Sequence, residues 1–526
     1  MLDANLKAQI KEHMQRLKKK ITFEIDDRGH EKHQELLQML QDIADTSQLI
    51  TVEKVTNKLR SGVTFQILQE ENPVGITFSG IPGGHEFSSL ILATLQAGGV
   101  PLKLDESLQS LIKNFQGEMK FETIVSLDCH NCPEVVQALN QMALLNPGIS
   151  HEMIDGGLFQ EIVTERNVQG VPSVFLNGET FSNGKIEISD IIEKIQQDIP
   201  EASVSKEDVI QEDHTVDVAI IGGGPAGVSA AIYSARKGLD VMVIADRIGG
   251  QVKDTMGIEN MISIPKTTGP ELSNSMEQHL SDYKVTIRKN LKVKDIQTDQ
   301  QRKILELNTG ERVLAKTVII ATGAKWRQLG IPGEKENIGN GVAYCPHCDG
   351  PFFKDKDVIV VGGGNSGVEA ALDLSGIVKS VKILEFMPEA KADQILLDKA
   401  NATKNISMLT NVASQEITSK DGKVQGIQYK DRESGTESFI EAEGVFIQIG
   451  LVPNSDFVGD TLNLTKYGEI IVNDKCETNI PGVYACGDVT TVPYKQIVIS
   501  MGEGAKAALS SYEYILMNFD EEEKAA

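Results

Sequence analysis

Apolar positions along the chain alternate between two periods. Leu6, Ile10, Met14 and Leu17 recur at helical spacing and predict an amphipathic helix at the N-terminus. ITFEIDD at 21–27 predicts a strand, followed by a helical pattern through Leu40. PVGITFSG at 73–80 predicts a second strand, and 86–97 a second helix. The order then returns. FETIVSL at 121–127 reads as a strand, Glu134 to Leu145 as a helix, GVPSVFLNG at 170–178 as a strand and 186–197 as a helix. Strand and helix in the same order twice predict two related halves. Two longer apolar stretches, 216–233 and 357–374, approach membrane-span length. Each is broken by three glycines and carries an acid, Asp217 or Glu369, so each predicts a buried strand, turn and helix. QDIPEASVSKEDVIQEDH at 197–214 is polar, acidic and aperiodic, contains Pro200, and predicts a linker.

The two long stretches are copies of one pattern. Residues 216–246 and 356–385 each give an apolar strand, a G-x-G-x-x-G turn, a helix, a second strand and an acid. The glycines are Gly222, Gly224 and Gly227, then Gly362, Gly364 and Gly367; the acids are Asp246 and Glu385. In that context the first glycine permits the tight turn, the second lets backbone approach a pyrophosphate, and the third lets helix pack on strand. The helix N-terminus offers free N–H groups to phosphates, and the acid accepts ribose hydroxyls. Two dinucleotides in one chain predict a flavin and a nicotinamide cofactor. A carboxylate at Glu385 repels a 2′-phosphate, and LEFMPEAKAD holds no arginine, so NADH is expected over NADPH.

Composition narrows the classes. At about 150 residues per domain, 526 residues make three or four domains. The net charge of −24 argues against nucleic acid or an anionic membrane as partner. The N-terminus lacks the basic start and apolar core of a signal peptide, so the cytoplasm is the expected location. Thiols there are mostly reduced, which makes C-x-x-C pairs redox or metal sites before structural links.

Four of the six cysteines form such pairs. Cys129 and Cys132 lie in DCHNCP at a predicted helix N-terminus, where the dipole favours a thiolate. Cys129 is the expected nucleophile and Cys132 the resolving thiol. Cys345 and Cys348 lie in AYCPHCDG, just before the second glycine turn. Together the pairs could make a zinc site, but they are far apart and each sits in its own redox-type context, so no metal is expected. Cys476 and Cys486 read as buried structural thiols in strands. His30 and His33 are spaced i,i+3 and read as a solvated helix face. His130 and His347, inside the pairs, either tune thiols or are simply exposed.

The motifs DCHNCP, GGGPAG, CPHCDG, GGGNSG, LEF and CGD occur in an order that resembles one family, the alkyl hydroperoxide reductase flavoprotein subunits. The resemblance covers essentially the whole chain. It implies an α/β fold class: N-terminal tandem thioredoxin-like folds, then FAD and NAD(P) Rossmann-like domains of the pyridine nucleotide–disulfide oxidoreductase type. Implied FAD contacts are Asp488 with Gly487, Gln251, Thr322 and Gln496. Cys348 would face the flavin and Cys345 exchange with the next dithiol, with Asp349 as proton donor or acceptor. Pro172 matches a proline that is usually cis. Glu86, in the cysteine-free half, would lie near the active pair; a surface carboxylate is the alternative reading. Trp326 is expected beside a flavin-domain strand.

The implied mechanism is a two-electron relay from NADH through FAD to Cys345–Cys348, then Cys129–Cys132, then a separate peroxiredoxin. Rotation of the nicotinamide domain would let its contacts alternate. A homodimer is implied as well. The expected divisions are 1–100, a redox-silent half; 101–196, the half with the active pair; 197–213, a linker; 214–330 and 448–526, the FAD domain; and 331–447, the NAD domain. Rival readings are reduction of another disulfide protein, an NADH oxidase, and a redox-sensing interaction protein.

Overall fold

The computed structural model describes residues 2–519, apart from 130, 167, 169–170, 200–212, 256, 300–301, 339 and 421–422. Most of the expected linker therefore lies outside the described residues. The chain divides into two units: one reaching to Asp213 with 289–292 and 307–312, the other holding the rest.

In the first unit the elements run α1 (Ala4–Met14), β1 (Ile21–Asp26), α2 (His33–Ala44), β2 (Ile50–Val55), β3 (Thr64–Gln69), β4 (Asn72–Ser79), α3 (Phe87–Ala97) and α4 (Glu106–Asn114). They continue as β5 (Met119–Val125), α5 (Cys132–Leu145), β6 (Ile149–Asp155), α6 (Gln160–Glu165), β7 (Ser173–Leu176), β8 (Glu179–Asn183) and α7 (Ile188–Asp198). All eight strands make one sheet, in the order β2-β1-β3-β4-β6-β5-β7-β8. The two halves meet where β4 pairs in parallel with β6, from Ile76 opposite His151 to Ser79 opposite Ile154. In the first half Phe23, Phe65 and Phe78 are fully buried, with Phe65 stacked on Phe78 at 5.3 Å. Each such ring stabilises the fold by roughly 1.5–3 kcal/mol.

A buried polar triad fixes α5, the helix that starts at Cys132. His151 Nδ1 donates to Asn140 Oδ1 (2.7 Å), and its Nε2 accepts from Thr123 (2.8 Å). Burial pushes this imidazole down to about 3, so it stays neutral. The expectation for His33 is corrected: it is buried, and its Nδ1 lies 2.6 Å from the Gly62 carbonyl. The hydrogen bond to backbone takes it out of solvent.

The second unit begins with β9 (Asp213–Ile221), α8 (Pro225–Ala235), β10 (Val241–Ala245), α9 (Gly269–Ser281), β11 (Val285–Lys289), β12 (Val293–Asp299), β13 (Arg302–Leu307), β14 (Arg312–Ile320) and β15 (Ala324–Trp326). Next come β16 (Val342–Ala343), α10 (Pro346–Asp349), β17 (Asp357–Val361), α11 (Asn365–Ser375), β18 (Ser380–Leu384), α12 (Gln394–Ala402) and β19 (Ile406–Leu409). Then follow β20 (Val412–Lys420), β21 (Lys423–Asp431), β22 (Glu437–Glu441), β23 (Gly444–Ile447), β24 (Leu451–Pro453), β25 (Val483–Ala485) and α13 (Ile497–Asn518). One sheet runs β11-β10-β9-β14-β13-β12, with β25 parallel to β14. A second, β16-β23-β17-β18-β19, is parallel throughout. The two-stranded ribbon β15–β24 lies where the chain leaves the first sheet and returns to it. Both sheets are apolar on each face, as β9 (Val218, Ile220) and β17 (Val358, Ile359, Val360) show.

Candidate active site

The two glycine turns have the same build. Gly222 and Gly362 take φ of +113° and +121°, a region that favours glycine. A Cβ at Gly222 would collide with the Ala321 carbonyl, and one at Gly362 with the Gln448 carbonyl. A Cβ at Gly227 or Gly367 would strike the carbonyl of the first glycine of its own turn. Gly224 and Gly364 instead face open space. Each is the N-cap of its helix and supplies no side-chain cap, so first-turn N–H groups remain for a ligand. Open space and N–H donors together fit a pyrophosphate at each turn.

Several of the residues expected around the first turn lie beside it. The Gly249 N–H donates to Gly223 O (2.8 Å), which brings exposed Gln251 beside the glycines. A Cβ at Gly487 would lie 3.0 Å from Ala226, so Asp488 stands by the first turn of α8. Burial raises the Asp488 pKa, opposed by Lys495 and by Ser500, whose Oγ donates at 3.2 Å. Thr322 follows Ala321 and exchanges two hydrogen bonds with Asn454, at 2.7 and 2.8 Å. Gln496 N-caps α13 and accepts from Asn260 at 3.3 Å. Asn454 and Gly504 were not legible in the sequence. A Cβ at Gly504 would collide with the Ala226 carbonyl, so that glycine lets α13 press on α8.

The closing acids differ. Asp246 follows β10 and is half-buried. Glu385 follows β18, is buried, and accepts from Gly363 N (2.5 Å) and Met387 N (2.7 Å). An arginine from outside the LEFMPEAKAD segment reaches the residue after Glu385. Arg432 lies 3.8 Å over the ring of exposed Phe386 and donates to its carbonyl at 2.7 Å.

Cys129 and Cys132 form a disulfide. Cys132 is buried and Cys129 half-exposed, which suits the roles assigned to them. The Cys132 N–H points at Cys129 Sγ (3.1 Å), and the Val171 carbonyl is 3.8 Å from that sulfur. Val171–Pro172 is cis. His130 lies outside the described residues. Against this loop packs the 83–86 turn of the cysteine-free half, where the His85 N–H donates to Leu127 O at 3.0 Å. Glu86 in that turn is fully buried, contrary to the surface reading, and neither carboxyl oxygen has a hydrogen-bond partner among the described residues. Burial pushes its carboxyl up to about 7; the nearby Ser89 hydroxyl offsets only part of the rise.

Cys345 is half-exposed and disulfide-bonded; the side chains of His347 and Cys348 lie outside the described residues. The Asp349 N–H donates to Cys345 O (2.9 Å). Burial pushes the Asp349 carboxyl up to about 6, and a hydrogen bond from the Cys345 backbone draws it partly back. Before Cys345, the Tyr344 hydroxyl donates to Glu334 (2.8 Å), and its ring stacks on Trp326 at 6.2 Å. Buried Glu334 also accepts from the Leu329 (2.9 Å) and Gly330 (2.7 Å) N–H groups. Trp326 thus belongs to the β15–β24 ribbon. Cys476 is not in a strand; it turns at φ +63°, and its thiol donates to Glu503 at 3.1 Å. Burial pushes that thiol up to about 12, which leaves it inert. No cluster of potential metal ligands occurs among the described residues.

Comparison with known proteins gives relatives of matching length. One alkyl hydroperoxide reductase subunit, from Escherichia coli, is 45% identical over 521 residues, covering 98% of this chain and 99% of that one. The chain belongs to the alkyl hydroperoxide reductase flavoprotein family. A Bacillus subtilis protein called NADH dehydrogenase is 45% identical over 518 residues, 98% of this flavoprotein and all of that chain. Residues 216–504 match the pyridine nucleotide-disulphide oxidoreductase family, and 119–197 a thioredoxin domain. Thioredoxin reductase of Streptococcus pyogenes matches 58% of this flavoprotein and all of its own chain, at 37% identity and a TM-score of 0.55. The expected fold class is therefore present. The flavoprotein is an NADH-dependent flavin disulfide oxidoreductase that uses FAD and NAD(P)H. No helix among its described residues is long and apolar enough to cross a membrane.

Proposed function

We propose that this flavoprotein carries electrons from NADH, by way of FAD, to Cys345 and Cys348, on to Cys129 and Cys132, and out to a peroxiredoxin. The observation that carries the reading is the disulfide at Cys129–Cys132 on a helix N-terminus, in a chain that also builds two dinucleotide turns. Gly222, Gly224, Gly227, Asp246, Gln251, Thr322, Gly487, Asp488 and Gln496 would hold FAD. Gly362, Gly364, Gly367 and Glu385 would hold NADH. Bound FAD supplies a two-electron carrier between a nicotinamide and a disulfide.

The chain's own residues do the rest. A thiolate of the Cys345/Cys348 pair attacks the Cys129–Cys132 bond and forms a mixed disulfide. Its partner thiol then closes the first pair and releases two thiols at the second. Cys129, with the Cys132 N–H aimed at its sulfur, attacks the partner's disulfide; Cys132 resolves it. Burial raises the Asp349 and Glu86 carboxyls to about 6 and about 7, so each would give up or take a proton at its station close to neutral pH. The domain divisions, the homodimer and the cytoplasmic setting belong to the same proposal.

The test is NADH oxidation with an oxidised peroxiredoxin as acceptor. Wild type is expected to turn over, and Cys129→Ser to fall to background. Equal rates would sink the reading. The NADH dehydrogenase name of the Bacillus relative favours a second reading, direct NADH oxidation by oxygen, which would survive Cys129→Ser. Glu385→Arg is expected to raise the NADPH/NADH ratio of kcat/KM by about tenfold. An unchanged ratio would show that Glu385 does not read the ribose.

A further inference from the structure

Gln448 touches both the second glycine turn and the segment that carries Cys345. It lies one residue beyond β23, as Tyr344 lies one residue beyond β16, its neighbour in the sheet. Its N–H donates to Val361 O (2.8 Å), and its carbonyl occupies the space a Cβ at Gly362 would need. The turn therefore rests on the Gln448 backbone. The side chain is buried and uses the amide nitrogen as a donor twice, to Tyr344 O (2.7 Å) and Ile447 O (2.9 Å). β16 pairs with β23 at Val342 and Ala343, so this amide supplies a rung beyond the strand end, one residue before Cys345. At its other end Tyr344 is seated on Glu334 and Trp326.

We propose that Gln448 is a positioning residue, whose side-chain amide ties the Cys345 segment to the glycine turn so that nicotinamide-cofactor binding changes how Cys345 is presented. The inference rests on the reading that this turn holds the nicotinamide cofactor. Coupling between the two is reciprocal: what binding does to the cysteine, the cysteine's state does to binding. A change in the side chain leaves both backbone contacts in place, so it isolates the tie from the turn.

The experiment uses the full chain with FAD bound, in a Cys348→Ser background whose lone Cys345 thiol cannot pass electrons back to NAD+, freed of reductant under anaerobic conditions; wild type below means Gln448 in that background. Iodoacetamide alkylates Cys345, and the mass of its peptide gives the rate with and without saturating NAD+. Calorimetry gives the NAD+ Kd. In wild type, NAD+ is expected to change the rate by about fivefold or more, the lower end of ordinary coupling. In Gln448→Met, of similar length without a donor, the change disappears while the Kd moves less than about twofold. Gln448→Glu at pH 8, whose carboxylate cannot donate, loses it as well. A wild-type rate that ignores bound NAD+, or a variant that folds and keeps the full change, overturns the proposal. Absence of NAD+ binding in calorimetry overturns instead the reading of the turn.

Discussion

The two cysteine stations reach a similar chemical setting by different routes. At the Cys345 station the carboxyl is next in sequence to the pair: Asp349, raised to about 6. At the Cys129 station it comes from the other half of the fold: Glu86, raised to about 7. Burial is the main cause at both. One station is Cys345 and the four-residue helix that follows it, while the loop of the other is hydrogen-bonded by a turn of the cysteine-free half. The cysteine-free half thus contributes a buried carboxyl in a turn hydrogen-bonded to the loop that leads to Cys129.

The largest expected effect separates the stations by position in the relay. Cys345→Ser and Cys129→Ser should each cut peroxiredoxin-linked NADH oxidation by at least about a hundredfold. Only Cys345→Ser should also prevent NADH from reducing the Cys129–Cys132 disulfide, as counted by thiol titration. Reduction of that disulfide in Cys345→Ser would break the order of the stations.

A smaller effect separates them by pH. The alkylation rate of Cys129 in reduced protein should inflect near pH 7, beside the thiol's own titration, and Glu86→Gln should remove that inflection. Asp349→Asn should do the same near pH 6 for Cys345. An inflection that survives its substitution would show that the carboxyl and thiol titrate independently.

The smallest effect is on stability. Glu86 holds its proton more tightly folded (about 7) than at its ordinary value of 4.5, so its contribution to stability is full below 4.5 and lost as pH rises through 7. Glu86→Gln should therefore stabilise the N-terminal unit at pH 8 by roughly 1–3 kcal/mol and change little at pH 4. Equal changes in Tm at both pH values would place the effect in packing and not in charge.

Much of this was legible along the chain. The glycine turns and cysteine pairs are local, because each motif's residues meet within one strand–turn–helix. The strand and helix order of the N-terminal halves was legible too, although the two halves were not expected to share one continuous sheet. That joint is β4 against β6, a pairing of strands about 75 residues apart with no signature of its own. Separation along the chain likewise hid Arg432 from Phe386, Asn454 from Thr322 and Gln448 from Tyr344. Glu86 was legible as a candidate only through resemblance; its burial depends on the turn from the first half closing over Leu127. His33 failed because i,i+3 spacing says which helix face a residue occupies but not what lies opposite.

The relay as a whole is tested most directly by anaerobic titration of the FAD-loaded oxidised chain with NADH, counting electron pairs accepted. One flavin and two disulfides should take up three pairs per chain in wild type and two in Cys129→Ser. Uptake of a single pair in wild type would contradict the account, because neither cysteine station would then be in line with the flavin.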